Sequence, residues 1–225
     1  LLEKARAQQD ALLIAPTGAG KTLAGFLPSL TELTQSKPNR RSLHTLYISP
    51  LKALAVDVAR NLEQPVHEMG LSLRIETRTG DTSASKRQRQ RRDPPDILLT
   101  TPEQLSLLLG SAEGVAMFSS LKRIIFDELH AVVSSKRGDL LALDFAHLRA
   151  IAPQLRAVGL SATVRDPDEL RRWLSPGGIA DLVVAPDGAS PQLTMLDTRE
   201  RLPWSGHGGA YAMQEIYELI KQARM

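Results

Sequence analysis

The octapeptide Ala15-Pro16-Thr17-Gly18-Ala19-Gly20-Lys21-Thr22 has residue types suited to gripping a polyphosphate. Such an anion is held by backbone N–H groups pointed inward at close range, and side chains beyond Cα obstruct that approach, which suits glycine at Gly18 and Gly20. The pattern assigns Thr17, Gly18, Ala19 and Gly20 to the loop, Lys21 to the β- and γ-phosphates of a nucleotide, and the Thr22 hydroxyl to Mg2+. The usual pattern opens with glycine, whereas Ala15 stands here, a tolerable change if that position only turns the chain. A flexible turn before a helix gives similar letters. The second group is Asp127-Glu128, delivered by the apolar run Ile124-Ile125-Phe126 and followed by His130. Ionised groups at the end of a core strand need a cation or other partners to offset desolvation. Mg2+ fits that need, with Asp127 on the metal and Glu128 orienting and deprotonating an attacking water. A helix start also favours acids, and a lone histidine is usually just hydrogen-bonded. Beside this carboxylate pair His130 is read as functional.

Three further polar junctions suit a sugar-phosphate chain. Ser49-Pro50-Leu51-Lys52 and Thr101-Pro102-Glu103-Gln104 each place a hydroxyl and a proline where a strand gives way to a helix. Ser49 and Thr101 read as N-caps, with Thr101 and Gln104 as a capping box. Capped helix starts on one rim also offer N–H groups and hydroxyls to phosphates, and Lys52 adds a positive charge. In Arg78-Thr79-Gly80-Asp81-Thr82, Gly80 would allow close approach of a backbone; alone, the segment is a turn. The basic run from Lys86 to Arg92 reads as a solvated face or a nucleic-acid contact, without aromatics to stack on bases.

The elements that must position these groups follow from hydropathy. Short apolar runs at 11–14, 43–49, 96–99, 121–126, 155–160 and 179–184, with the alternating 71–77, predict strands. Helical patterns fall between them: one carrying Leu23, Phe26, Leu27, Leu30 and Leu33 with a bend near Ala24 caused by Pro28, and others at 51–62, 140–151 and 167–174. The second is expected to break or bend at Pro65, and another helix opens at Pro102. Strands alternating with helices imply a mostly parallel α/β sheet with helices on both faces, whose ligands bind beyond the carboxyl ends of the strands.

Composition narrows the class without naming a function. The 225 residues, 42% of them hydrophobic, suffice for a full core in one large or two small domains. With no cysteine, disulfides and zinc ribbons are excluded from this segment, and His44, His67, His130, His147 and His207 are too scattered for a metal cluster. The net charge of +3 permits a polyanionic partner without demanding one. No apolar run approaches membrane-span length and no leader pattern opens the chain, so no membrane partner and a cytoplasmic setting are the expectation. The start at Leu1 and the unpartnered helical face of Met213, Ile216, Tyr217 and Ile220 read as a fragment of a longer protein.

Taken together, these stretches resemble the first motor domain of a superfamily 2 helicase, with a RecA-like P-loop fold. In order, Ala15 to Thr22 is similar to motif I, Ser49 to Ala55 to motif Ia, Thr101 to Leu105 to motif Ib, Asp127 to His130 to the DExH form of motif II, and Ser161 to Thr163 to motif III. The wording LHTLYISPLKALAVDVARNL, RTGDT, PPDILLTTPEQLSLLL, DELHAVVSSKRGDLLAL and VGLSATV resembles the large-helicase-related (Lhr) family, most of all its bacterial ligase-associated branch. The resemblance implies ATP and Mg2+ as cofactors and 3′-to-5′ movement on single-stranded DNA in damage responses. RNA:DNA hybrids or RNA are alternative strands, and a DNA ligase is an implied associate. It also implies strand contacts from Pro50, Lys52, Ala53, Arg78, Gly80, Asp81, Thr101, Pro102 and Glu103. Ser161, Ala162 and Thr163 would couple nucleotide state to movement. Lys136-Arg137-Gly138 resembles a family signature, with a surface turn as the alternative. Residues 1–189 would form the first domain, and 190–225 a linker and first helix of a second motor domain. The adenine-recognition residues, the arginine finger and the winged-helix region would lie outside this chain. A nucleotide switch acting on a protein partner is the other reading.

Overall fold

Alternation within each central strand feeds two dry layers, and this dictates the architecture. The computed structural model describes residues 1–16, 18, 20–35, 42–162, 164, 166–175, 177–186 and 212–222. Thr17, Ala19, Thr163 and the expected linker from 190 up to the last helix fall outside the described residues. Among the described residues the strands are β1 (Ala11–Ile14), β2 (Thr45–Ile48), β3 (Ile75–Arg78), β4 (Ile97–Thr100), β5 (Arg123–Phe126), β6 (Arg156–Ser161) and β7 (Asp181–Val184). They form one sheet in the order β3-β4-β2-β5-β6-β1-β7, and every pairing is parallel.

The helices are α1 (Leu2–Arg6), α2 (Lys21–Gln35), α3 (Lys52–Glu68), α4 (Ala84–Arg92), α5 (Pro102–Leu109), α6 (Ala112–Phe118), α7 (Leu129–Val133), α8 (Lys136–Ile151), α9 (Pro167–Leu174) and α10 (Met213–Gln222). Leu13, Tyr47, Leu99 and Ile125 point to one face and pack with Phe26 and Leu30 of α2 and Leu62 of α3. Leu12, Ile48, Leu98 and Phe126 point to the other, against residues of α5 to α9. Strands buried on both faces read as continuous apolar runs, which is how β1, β2, β4 and β5 are legible in the letters.

Several expected boundaries shift. Both prolines are absorbed, since α2 runs through Pro28 and α3 through Pro65, six residues beyond the expected end at Leu62. Burial of Val66 against the sheet holds that last turn despite the lost hydrogen bond. Leu23 and Leu27 belong to the exposed side of α2 rather than its core face. The third strand begins at Ile75, not Leu71. Lys136-Arg137-Gly138 is no surface turn but the first turn of α8, capped by Ser135 Oγ accepting from Gly138 N.

The chain divides into two units, Leu1–Gly188 and Ala189–Met225. The sheet belongs to the first. In the second, α10 exposes Met213, Ile216, Tyr217 and Ile220, the face expected from their spacing. No helix among the described residues is long and apolar enough to cross a membrane.

Candidate nucleotide site and nucleic-acid rim

Because all strands run one way, the segments leaving their carboxyl ends share one rim. The ladder extends into it: Ala15 N donates to Ser161 O at 3.2 Å, Asp127 N to Ile48 O at 2.9 Å and Ser49 N to Thr100 O at 2.9 Å. Ala15 therefore continues β1 and is buried, so the loop opens on a residue whose methyl group lies inside the fold. Gly18 and Gly20 take φ of 81° and 74°, conformations that disfavour side chains, and no atom lies within 4 Å of where a Cβ would stand.

Lys21 opens α2, buried to 7% exposure, and its Nζ has no hydrogen-bond partner among the described residues. The nearest acid is Glu128, 3.8 Å away. An ammonium held dry without a hydrogen bond is costly unless an anion comes to it, so the residues present fit a triphosphate. Two strands away, beyond the intervening β6, Asp127 caps β5. Burial pushes its carboxyl pKa up; the Tyr47 hydroxyl bonded to Oδ2 counters this, Glu128 adds to the rise, and Lys21 also lowers it. Burial also pushes the Tyr47 pKa up, with Asp127 as a further cause, so the phenol stays protonated as donor. Glu128 N donates to Asp127 Oδ1 at 3.0 Å. Lone pairs on Asp127 remain for a metal, and Thr22 follows Lys21 on α2.

Glu128 sits at φ 45° and ψ 45°, a left-handed conformation that costs a non-glycine residue on the order of 1 kcal/mol. It leaves the carboxylate between Lys21 and His130, whose Nδ1 is 3.6 Å from Glu128 Oε2. The same Nδ1 is hydrogen-bonded to Ser161 Oγ at 2.9 Å. Lys21, Asp127, Glu128, His130 and Ser161 are therefore one cluster, with Ala162 the next described residue beyond Ser161. No group of three or more His, Cys, Asp or Glu side chains that could hold a metal ion occurs among the described residues.

Farther along the rim, Pro50, Lys52, Ala53, Gly80, Asp81 and Glu103 are exposed or half-exposed, whereas Thr101 and Pro102 are buried. Lys52 Nζ is paired with Asp81 at 2.8 Å. Arg78 is not offered to solvent: it is 3% exposed, and its guanidinium donates to Arg87 O at 3.3 Å. Burial beside Arg91 and Arg87 lowers its pKa to about 10, so it remains a cation. The expected caps differ as well. Ser49 Oγ donates to Leu51 O at 3.1 Å, and the N-cap of α3 is Leu51. Thr101 holds the N-cap position of α5 without a side-chain cap bond, its hydroxyl engaging Glu103 instead of forming a box with Gln104. The basic run forms α4, where Arg87 donates to Gly80 O at 2.6 Å and Arg89 to Glu76 at 2.7 Å.

Two residues in this region escaped the sequence reading. Tyr47 reads there as core, and its stacking on Phe26 at 5.2 Å supports that, yet its hydroxyl reaches Asp127. Arg137 belongs to the Lys136-Arg137-Gly138 stretch, whose family resemblance gives it no contact; it bridges the Ser49-Pro50 and Thr101-Pro102 junctions, donating to Pro50 O and to Glu103.

A RecA-like parallel sheet with a glycine loop, a dry lysine and an acid pair on one rim defines a P-loop nucleotide-binding domain. The profile of the DEAD/DEAH box helicases matches residues 1–170, and the chain belongs to that family. Over 206 residues it is 40% identical to the Lhr helicase/uracil glycosylase of Escherichia coli (strain K12), covering 84% of this chain and 13% of that protein. The ATP-dependent helicase Lhr-Core of Methanothermobacter thermautotrophicus is 38% identical over 178 residues, covering 74% of this chain and 21% of that protein. The structure of Mycobacterium smegmatis helicase Lhr bound to ssDNA and AMP-PNP superposes with a TM-score of 0.80 at 35% identity, covering 98% of this chain and 30% of that one. This chain thus spans less than a third of each of these relatives.

Proposed function

We propose that this chain is the first motor domain of an Lhr-type helicase, in which ATP hydrolysis drives movement along single-stranded DNA. One observation carries the reading: Lys21 Nζ, buried without a hydrogen-bond partner among the described residues, faces Glu128 on the rim that also presents the junctions at Pro50, Gly80 and Glu103. Thr17, Gly18, Ala19, Gly20, Lys21 and Thr22 would bind the triphosphate, and Thr22 and Asp127 would hold Mg2+, which would supply positive charge to the phosphates. Glu128 orients and deprotonates water. His130 relays to Ser161, with Ala162 and Thr163 completing the coupling segment. Pro50, Lys52, Ala53, Gly80, Asp81, Thr101, Pro102 and Glu103 form the path of the strand, whose backbone is held without reading sequence. The binding of ssDNA and AMP-PNP by the M. smegmatis helicase supports both ligands here.

The remaining steps belong to the whole protein. Residues 190–225 are read as linker and first helix of a second motor domain. An arginine finger from that domain is worth roughly 10³ to 10⁵ in rate, so hydrolysis needs it. The direction is 3′-to-5′ and the role lies in DNA repair within the bacterial cytoplasm, with a ligase as associate in the branch this chain most resembles. ATPase activity of the full-length protein, measured with and without single-stranded DNA, tests the reading. Stimulation of severalfold or more is expected, whereas hydrolysis indifferent to DNA would assign the chain to a nucleotide switch.

A further inference from the structure

Helices α5 and α8 pack together, and two polar links join them. Arg137 Nε donates to Glu103 Oε1 at 2.6 Å, and Ser106 Oγ donates to Asp144 Oδ2. Arg137 and Asp144 are two helical turns apart on α8, and Glu103 and Ser106 one turn apart on α5, so each pair presents a single face. Arg137 does more than hold α5. Its Nη2 donates to Pro50 O at 2.9 Å, so one guanidinium ties the junction before α3 to the first turn of α5. The Arg137 bond and the Thr101 hydroxyl hold the Glu103 carboxyl pKa low, so the acid stays ionised as acceptor.

The base from which Arg137 reaches is fixed. Ser135 Oγ donates to Val132 O at 2.6 Å and accepts from Gly138 N at 3.3 Å, closing the turn between α7 and α8. A Cβ on Gly138 would stand 2.3 Å from Val132 O, so the two helices are as close as backbone allows. Helix α7 carries His130 and follows Glu128 directly. An ion pair as exposed as Arg137–Glu103, 46% and 52%, contributes little to stability, so a brace for the fold is a poor account of it. What it does fix is the spacing of two loops.

We infer that Arg137 is a positioning residue for the nucleic-acid path: it sets the junctions at Pro50 and Glu103 at one spacing, from a helix anchored next to the nucleotide cluster. This rests on the function proposed above. Arg137 acts through Pro50 and Glu103 and touches no phosphate itself. A lysine cannot make the same fork, because its single ammonium lacks the planar pair of donors.

The test uses the full-length protein, with Arg137→Ala, Arg137→Lys, Glu103→Gln and the Arg137→Ala/Glu103→Gln double variant. The readouts are the single-stranded DNA concentration for half-maximal ATPase, kcat at saturating DNA, the salt dependence of DNA affinity, and Tm. Arg137→Ala is expected to raise the half-saturating concentration about tenfold, the equivalent of one charge-assisted bond, with kcat changed no more than about twofold. Arg137→Lys falls between, and the double variant is no worse than Arg137→Ala, since the two residues act as a unit. Glu103→Gln weakens binding too. That sign discriminates, because a carboxylate merely lying near phosphates repels them, and neutralising it would tighten binding. Tighter binding by Glu103→Gln, an unchanged half-saturating concentration in Arg137→Ala, or a salt slope reduced by about 0.7, the mark of a lost direct phosphate contact, would each overturn the inference. A wild-type ATPase that ignores DNA overturns the proposed function instead, and the inference falls with it.

Discussion

Tyr47 contributes a single hydroxyl to the site, and its position shows how a core residue acquires a task. Strand alternation turns its ring to the α2 face, where it stacks on Phe26, and the ring's length carries the hydroxyl to the rim and Asp127. The letters show only an aromatic in an apolar run, so nothing in them separates this tyrosine from a buried phenylalanine. Tyr47→Phe is expected to keep the fold and raise the Mg2+ concentration for half-maximal ATPase about 10-fold or more, as for other lost supports of a metal ligand. A magnesium titration of the full-length variant checks this, and an unchanged midpoint would remove Tyr47 from the site. Lys21, Asp127 and Glu128 were legible because glycine spacing and paired acids after an apolar strand have few other uses. Lys21→Ala is expected to lower ATP hydrolysis by the full-length protein at least about 100-fold, read by phosphate release. Arg78, an implied strand contact, is buried against α4, whose polar and basic sequence has no apolar period to reveal that packing.

Among the elements, α8 and the start of β5 show what the sequence hid and what it can predict. Helix α8 begins four residues before the apolar pattern does, because its first turn carries no apolar side chain and is capped by Ser135. Gly138 within that turn has no room for a side chain, so Gly138→Ala should destabilise the chain by about 1–3 kcal/mol, lowering Tm by several degrees in a thermal melt. At the opposite end of the sheet from the nucleotide rim, Arg123 opens β5 almost wholly buried and donates to Glu32 of α2 at 2.7 Å. His44 lies beside this pair, with Nε2 3.2 Å from Glu32. Burial pulls the His44 pKa down to about 4; Glu32 opposes the fall, and the neighbouring Arg123 and Lys122 add to it. Its folded-state pKa lies below the ordinary 6.5, so the unfolded chain binds the proton more tightly. The stability that neutral His44 provides is complete above pH 6.5 and is lost as pH falls towards 4, by about 3 kcal/mol in all. The Glu32 carboxyl is held low by Arg123 and adds its own loss only below its ordinary 4.5. Urea denaturation of the chain from pH 7 to 4.5 should show the decline, and His44→Leu should flatten it; a decline of equal size in that variant would assign the acid sensitivity elsewhere.

At the scale of the whole molecule, one parallel sheet collects on a single rim segments that lie over a hundred residues apart in sequence, from Lys21 to Ser161. The fold was legible because β1 is apolar throughout and β2, β4 and β5 are apolar but for one end residue and the Tyr47 hydroxyl, and these strands alternate with helices, whereas the edge strand β3, with its polar Glu76 and Arg78, blurred its own limits. DNA affinity of the full-length protein should fall with salt as a backbone-binding protein's does and ignore sequence at equal length. A strong preference among such sequences, measured by competition binding, would contradict a path built from backbone contacts. The central claim is that triphosphate binding and water activation are divided between Lys21 and Glu128. The most direct measurement pairs ATP affinity with single-turnover hydrolysis in full-length Glu128→Gln. The account predicts affinity within about threefold of wild type and hydrolysis slowed by about 100-fold or more, since only the general base is lost. Hydrolysis at the wild-type rate in that variant would contradict it.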